Sequence, residues 1–261
     1  MDKSALLDRL GAVGEDRLLL AKVLDRCQQA RNRNIPAFTD FLSPSQQAMA
    51  EDLLRLAAVP EDRYRRDGGY EGAERQVLCF LPDWMEEPES PVRCLRASYR
   101  TEDGLSHRDL LGSLMGLGIV REKVGDLLVG EAEADVLVLD SIASFLLQNW
   151  DSAGRAKLQV AAVDRDRIHM PPVRIQEIRD TVSSLRLDAV ASSGFRMARG
   201  KASALIEAGR VQVNWRECVK PDRILSVGDT VTARGFGKLE LTETGGLSRK
   251  GRIAIVIKRY L

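Results

Sequence analysis

Apolar residues recur at three- and four-residue intervals through residues 1–60. The segment LLDRLGAVGEDRLLLAKVLDRCQQA carries its leucines and valines at helical spacing. A further helix is predicted over SPSQQAMAEDLLRLAAV, with Ser43 as its cap, Pro44 at its first position and its end before Pro60. Between them RNRNIPAFTDF reads as a loop, whose Arg31 and Arg33 are expected to be solvated. Near Gly72 the period changes. RQVLCFL and VRCLRASY are rich in β-forming residues and predict strands, joined by the acidic, proline-rich PDWMEEPESP. Ser106 is placed to cap a helix bearing Leu110, Leu111, Leu114 and Met115 on one side and ending at Gly116 and Gly118. DLLVG and ADVLVLD follow as strands. Asp140 or Ser141 caps the helix SIASFLLQNW, and KLQVAAV is a last strand. Without its first strand this order is β-α-β-β-α-β, the split pattern of ferredoxin-like and RNA-recognition folds, although no paired aromatics of the base-stacking kind lie on it.

Residues 164–180, DRDRIHMPPVRIQEIRD, read as a linker stiffened by Pro171-Pro172. Beyond it two short helices are predicted. The first is capped by Ser183 or Ser184, with Leu187, Val190 and Ala191 inward and Gly194 at its end. The second starts near Ala198, with Ala202, Leu205 and Ile206 inward and Gly209 after it. RVQVNW, SVGDTVTARGFG, KLELTETG and GRIAIVIKRYL supply a small antiparallel sheet. The expected class is α+β, in four parts: a helical region over 1–71, a ferredoxin- or RNA-recognition-like domain over 72–163, the linker, and a third domain over 181–261.

Composition adds exclusions. No apolar run among the 261 residues approaches the roughly 18 needed for a membrane helix, and MDKSALLDRLGAVGEDR is too charged for a signal peptide. Four scattered cysteines without a CxxC pair, and two histidines, give no metal-ligand spacing. A cytoplasmic monomer with free thiols and no metal or cofactor is expected. Net charge is only +1, but it is unevenly spread. Residues 181–261 hold 15 Lys and Arg against seven Asp and Glu, and the rest of the chain is acidic. A basic third on an acidic chain suggests that this third meets a polyanion.

That third also places Arg186 and Arg199 where helices begin. A cation there opposes the helix dipole, typically by a few tenths of a kcal/mol. The placement suits a ligand, because exposed N–H groups at a helix start bind phosphate and arginine adds a bidentate grip. Lys201 would join them. Alternatively Arg186 pairs with Asp188 or another carboxylate and lies over the core.

LRLDAV, MARGKASALIEAGRVQVN and VGDTVTARG resemble the S4 RNA-binding module over about residues 183–240, with Ala198 where family members commonly have serine. SHRDLLGSLMGLGIVREKVGDLLV, SSLRLDAV, RVQVNW and RGFGK are similar to the YlmH-type S4 proteins, and that resemblance spans nearly the whole chain. It implies a helical N-terminal region, a central RNA-binding-like domain and a C-terminal S4 domain of the αL type. It also implies binding to ribosomal RNA, tRNA and the large ribosomal subunit. Some relatives act in ribosome-associated quality control, beside a factor that elongates the stalled chain. By motif match the RNA contacts fall on Arg186, Arg199 and Lys201, with Arg210, Asn214 and Arg216 nearby. His107, Arg108, Arg121 and Lys123 are candidates for a second RNA-binding site. The alternative is an S4-containing RNA-modifying enzyme, a pseudouridine synthase or a methyltransferase. Against it, RLD around Asp188 belongs to the S4 helix start, LGSLMGLG is not a glycine-rich turn after a strand, and the HRD at 107–109 lacks the other kinase motifs. A non-enzymatic protein is expected.

Overall fold

The computed structural model describes residues 2–172, 174–247 and 251–260 of the chain. Val173 of the predicted linker and Leu261 of the predicted last strand lie outside them. Residues 1–171 and 172–261 form two compact units.

In the first unit α1 (Lys3–Arg9) and α2 (Gly14–Arg33) are separated by a bend at Gly11, whose φ is +65°. A two-residue strand, β1 (Ala37–Phe38), interrupts the predicted loop before α3 (Pro44–Leu56). Ser43 caps α3 as its sequence suggests: Gln46 N–H donates to Ser43 Oγ, and Ser43 N–H donates to Gln46 Oε1 at 2.8 Å. Then come β2 (Tyr64–Asp67) and β3 (Val77–Phe80), and β3 pairs with both β1 and β2. The division drawn at 71/72 therefore passes between two paired strands. β2 carries no strand pattern of its own, because YRRD has too few apolar positions to show an alternation.

The second sheet is built from β4 (Val92–Ser98), β5 (Val124–Val129), β6 (Glu133–Leu139) and β9 (Gln159–Val163). Between them in the chain lie α4 (His107–Gly116), α5 (Asp140–Asn149) and a minor hairpin of β7 (Ser152–Ala153) and β8 (Ala156–Lys157). Its spatial order is β5-β6-β4-β9, antiparallel throughout, with β4-α4-β5-β6-α5-β9 along the chain. This is the split β-α-β pattern. Leu95, Leu110, Leu114, Val136 and Leu146 fill the space between sheet and helices. Phe41, Val77 and Cys79 pack with Val92, Cys94, Leu137 and Leu139, so the helical region and the central sheet share a core.

The second unit holds β10 (Ile175–Val182), α6 (Leu187–Gly194), α7 (Arg199–Glu207), β11 (Val211–Val213), β12 (Arg216–Glu217), β13 (Thr230–Ala233), β14 (Gly237–Leu247) and β15 (Ile253–Tyr260). The sheet order is β10-β15-β14-β13-β11-β12. Residues 175–180 are thus strand and not linker, since β10 pairs along its length with β15. β10 is an edge strand with many polar, solvent-facing positions, and its composition alone resembles a connector. The two helices pack Leu187, Val190, Ala202 and Ile206 onto Val213, Val231, Leu239, Leu241 and Ile257.

Gly194 closes α6 against this sheet, where a Cβ would overlap Leu239 Cδ2. Overpacking costs about 1–3 kcal/mol, against about 1 kcal/mol of helix propensity that alanine recovers. Gly194→Ala is therefore expected to lower the denaturant midpoint of the second unit, by a net of about 1 kcal/mol. An unchanged midpoint would show that Leu239 yields freely.

Candidate RNA interface

The start of α6 differs from its sequence-based reading. Neither Ser183 nor Ser184 caps it: Arg186 is the capping residue, with extended backbone and no side-chain cap bond. Its first two N–H groups are already used. Leu187 N–H donates to the Arg223 carbonyl at 2.8 Å, and Asp188 N–H to the Pro221 carbonyl at 3.0 Å. The α6 start therefore offers a phosphate no such donors. The α7 start is open. Ala198 supplies no cap, and the Arg199 and Gly200 N–H groups find no acceptor among the described residues.

Asp188 joins the two helices. Its carboxylate is 5% exposed and accepts two hydrogen bonds from each arginine. Arg186 donates from Nε and Nη2 at 3.2 Å each, and Arg199 from the same atoms at 3.1 and 3.0 Å. Burial raises the Asp188 pKa, but the hydrogen bonds and charges of the two arginines outweigh it, so the carboxyl stays ionised below the usual carboxylate value. The alternative role weighed for Arg186, pairing with Asp188, is the one seen, and Arg199 shares it. The trio retains one positive charge. The arginine side chains stay 38% and 47% exposed, so their outer edges face solvent beside the α7 start. Lys201 stands on the first turn of α7 with its ammonium 5.0 Å from the Phe236 ring centroid.

The other motif residues divide. Arg210 is exposed and donates to the Arg234 carbonyl at 3.4 Å. Arg216 is exposed on β12. Asn214 holds a turn: Nδ2 donates to Asp229 at 2.6 Å, and Oδ1 accepts the Thr230 N–H at 2.9 Å. Its amide thus makes bonds within the fold, while the residue itself stays exposed.

In the first unit the four candidates do not converge. Lys123 is paired with Asp40 at 2.7 Å and joins the 3₁₀ turn at 121–123 to the segment after β1. Arg108 is exposed. His107 and Arg121 line a cleft of about 430 Å³ with Tyr70, Arg75 and Asp126. Arg75 donates to the Val124 and Phe41 carbonyls, and Arg121 to those of Val124 and Gly125. Burial and the Arg121 charge bring the Arg75 guanidinium down to about 10. Partial burial and then Arg121 also push the His107 imidazole below its usual value, leaving it neutral at pH 7. Arg75 had no local signal, because its partners lie 34 and 49 residues away. Asp109 of the HRD triplet closes a capping box, donating its N–H to Ser106 Oγ and accepting the Ser106 N–H at 2.9 Å.

Little here suits nucleophilic chemistry. Burial pushes the Cys79 and Cys94 thiols up to about 12. No group of three metal-ligating side chains is assembled among the described residues, and no helix there is long and apolar enough to cross a membrane.

The Asp188 clamp makes a pH prediction. A carboxyl whose folded pKa lies below its unfolded value, about 3.9, stabilises the fold fully above that value. The contribution is lost as pH falls through the folded value. Asp188→Asn is expected to cost about 2 kcal/mol at pH 7, less than a fully buried pair because both arginines are half exposed. The gap to the parent should shrink below about pH 4. Chemical denaturation at pH 7 and pH 3 checks this, and a gap independent of pH would contradict the clamp.

Comparison with known proteins agrees with this architecture. Residues 15–83 match the family model described as YlmH, N-terminal; residues 99–167 match the putative RNA-binding domain in YlmH; residues 185–231 match the S4 domain. The chain is 32% identical over 248 residues to the ribosome-associated protein quality control protein P2 of Bacillus subtilis (strain 168), covering 94% of this chain and 95% of that protein. The solved structure of the cell division protein ylmH from Streptococcus pneumoniae is similar in fold. Its TM-score is 0.50 at 21% identity, over 60% of this chain and 97% of that one. With matches to both YlmH domains and the S4 domain, and a relative this similar along nearly its full length, the chain belongs to the YlmH family of S4-domain RNA-binding proteins.

Proposed function

We propose that this protein is a non-enzymatic factor that binds the large ribosomal subunit and tRNA during ribosome-associated quality control of stalled translation. The observation that carries this reading is the α7 start. Two N–H groups without acceptors among the described residues lie beside the half-exposed Arg199 guanidinium, which shares Asp188 with Arg186, and Lys201 stands on the same first turn with its ammonium over the Phe236 ring. Such a surface fits an RNA backbone, since dipole, N–H donors and cations all favour phosphate. The Bacillus relative's name supports the ribosomal setting. In this reading the S4 domain grips phosphate while the clamp holds its cations in place, and a partner factor elongates the stalled chain.

Lys201→Ala leaves the Asp188 clamp intact, so its effect on binding is separate from folding. It is expected to weaken binding to purified large subunits and to tRNA. It should also reduce the slope of log affinity against log salt by roughly 0.7–0.9 per lost phosphate contact. Arg199→Ala should remove at least as much, together with part of the clamp. Parent-like affinity and slope in folded Lys201→Ala and Arg199→Ala proteins would defeat the reading. Nucleosides of RNA incubated with the protein should be unchanged by mass.

A further inference from the structure

The β11–β12 hairpin turns on two residues, Asn214 and Trp215, both with positive φ, 50° and 65°. Turns with two such residues favour Asn-Gly, because glycine adopts the left-handed region without a steric cost. Asn214 suits its place, and its amide is anchored on Asp229 and Thr230. Trp215 stands where glycine is the relaxed choice. A bulky residue held in that region is strained, and such strain concentrates at functional positions.

Core burial does not account for the tryptophan. It is only partly buried, lies outside the apolar core of its unit, and its indole Nε1 makes no hydrogen bond among the described residues. Its ring is instead arranged with two other side chains. The Lys238 ammonium is 4.9 Å from the Trp215 ring centroid and 4.8 Å from that of Tyr260. Lys238 and Tyr260 are direct cross-strand partners on β14 and β15. They alternate with the inward Leu239, Leu241, Ile255 and Ile257, so they stand on the sheet face away from α6 and α7.

We infer that Trp215, Tyr260 and Lys238 form a platform on which an unpaired RNA base stacks, on the opposite side of the second unit from the α7 phosphate grip. The inference rests on the RNA-binding reading above and extends it from backbone to base. Aromatic rings stack bases of any identity. A duplex keeps its bases stacked on one another, so the platform selects single-stranded RNA.

The test uses the full chain with a labelled, unstructured oligouridylate and a blunt RNA duplex of equal length. Trp215→Gly relieves the backbone strain, so its melting temperature should equal or exceed that of the parent. It should nevertheless bind the oligouridylate about tenfold more weakly, with duplex affinity within about twofold of the parent and an unchanged salt slope. Trp215→Phe, which keeps a ring, should recover most of the loss. Parent-like binding of oligouridylate by Trp215→Gly overturns the inference. So does an equal loss on both RNAs, or a lowered melting temperature that phenylalanine does not restore. If the parent itself binds neither RNA, the RNA-binding reading falls with it, an outcome distinct from a parent that binds and a glycine variant that binds equally well.

Discussion

A carboxylate buried to 5% exposure between two helices is unfavourable until its charge is met, and at Asp188 two arginines meet it with four hydrogen bonds. The arrangement explains why arginine begins two successive helices. The dipole term against each cation is a few tenths of a kcal/mol, whereas charge-assisted hydrogen bonds contribute more than that each. Asp188 also lies in the first turn of its own helix, where a negative charge is favoured. The clamp links the starts of α6 and α7. The 221–223 loop holds the same turn of α6 from outside through the Leu187 and Asp188 N–H groups. The direction in which the second unit presents its cations follows from this.

The clamp divides labour between two helix starts that look alike in sequence. At α6 the N–H groups are spent on loop carbonyls; at α7 two have no acceptor among the described residues. The clamp keeps one net positive charge and two half-exposed guanidiniums beside the α7 start, and Lys201 stands on the first turn of that helix. Charges that are already oriented lose less entropy on meeting a ligand than free side chains do. A flexible basic tail with the same net charge has no such preorganisation.

In the first unit, charged motifs that resemble chemistry are mostly structural. Asp109 caps α4, Lys123 ties the turn before β5 to Asp40, and buried Asp135 takes a bidentate bond from Arg96 at 2.7 Å. Asp126 gathers the Tyr70 hydroxyl and the Glu74 and Arg75 N–H groups, which fastens the segment before β3 to β5. Apart from the local Asp109 cap, these bonds each span dozens of residues.

The sequence by itself determined what local chemistry controls. Helical spacing, the Ser43 and Ser106 caps, the β-α-β-β-α-β order and the basic surplus of the last third all follow from neighbours in the chain, as did the motifs that marked the S4 domain. Tertiary structure decided what depends on distant residues. The strand at 175–182 exists because β15 pairs with it, since its own polar pattern suits a connector equally well. Arg75 lines a cleft through carbonyls 34 and 49 residues away, and Asn214 is fixed by Asp229 and Thr230. Sequence placed Arg186 and Arg199 at helix starts. Only the fold brought both onto one carboxylate, because Arg199 lies 11 residues from Asp188 and reaches it through the packing of α6 against α7.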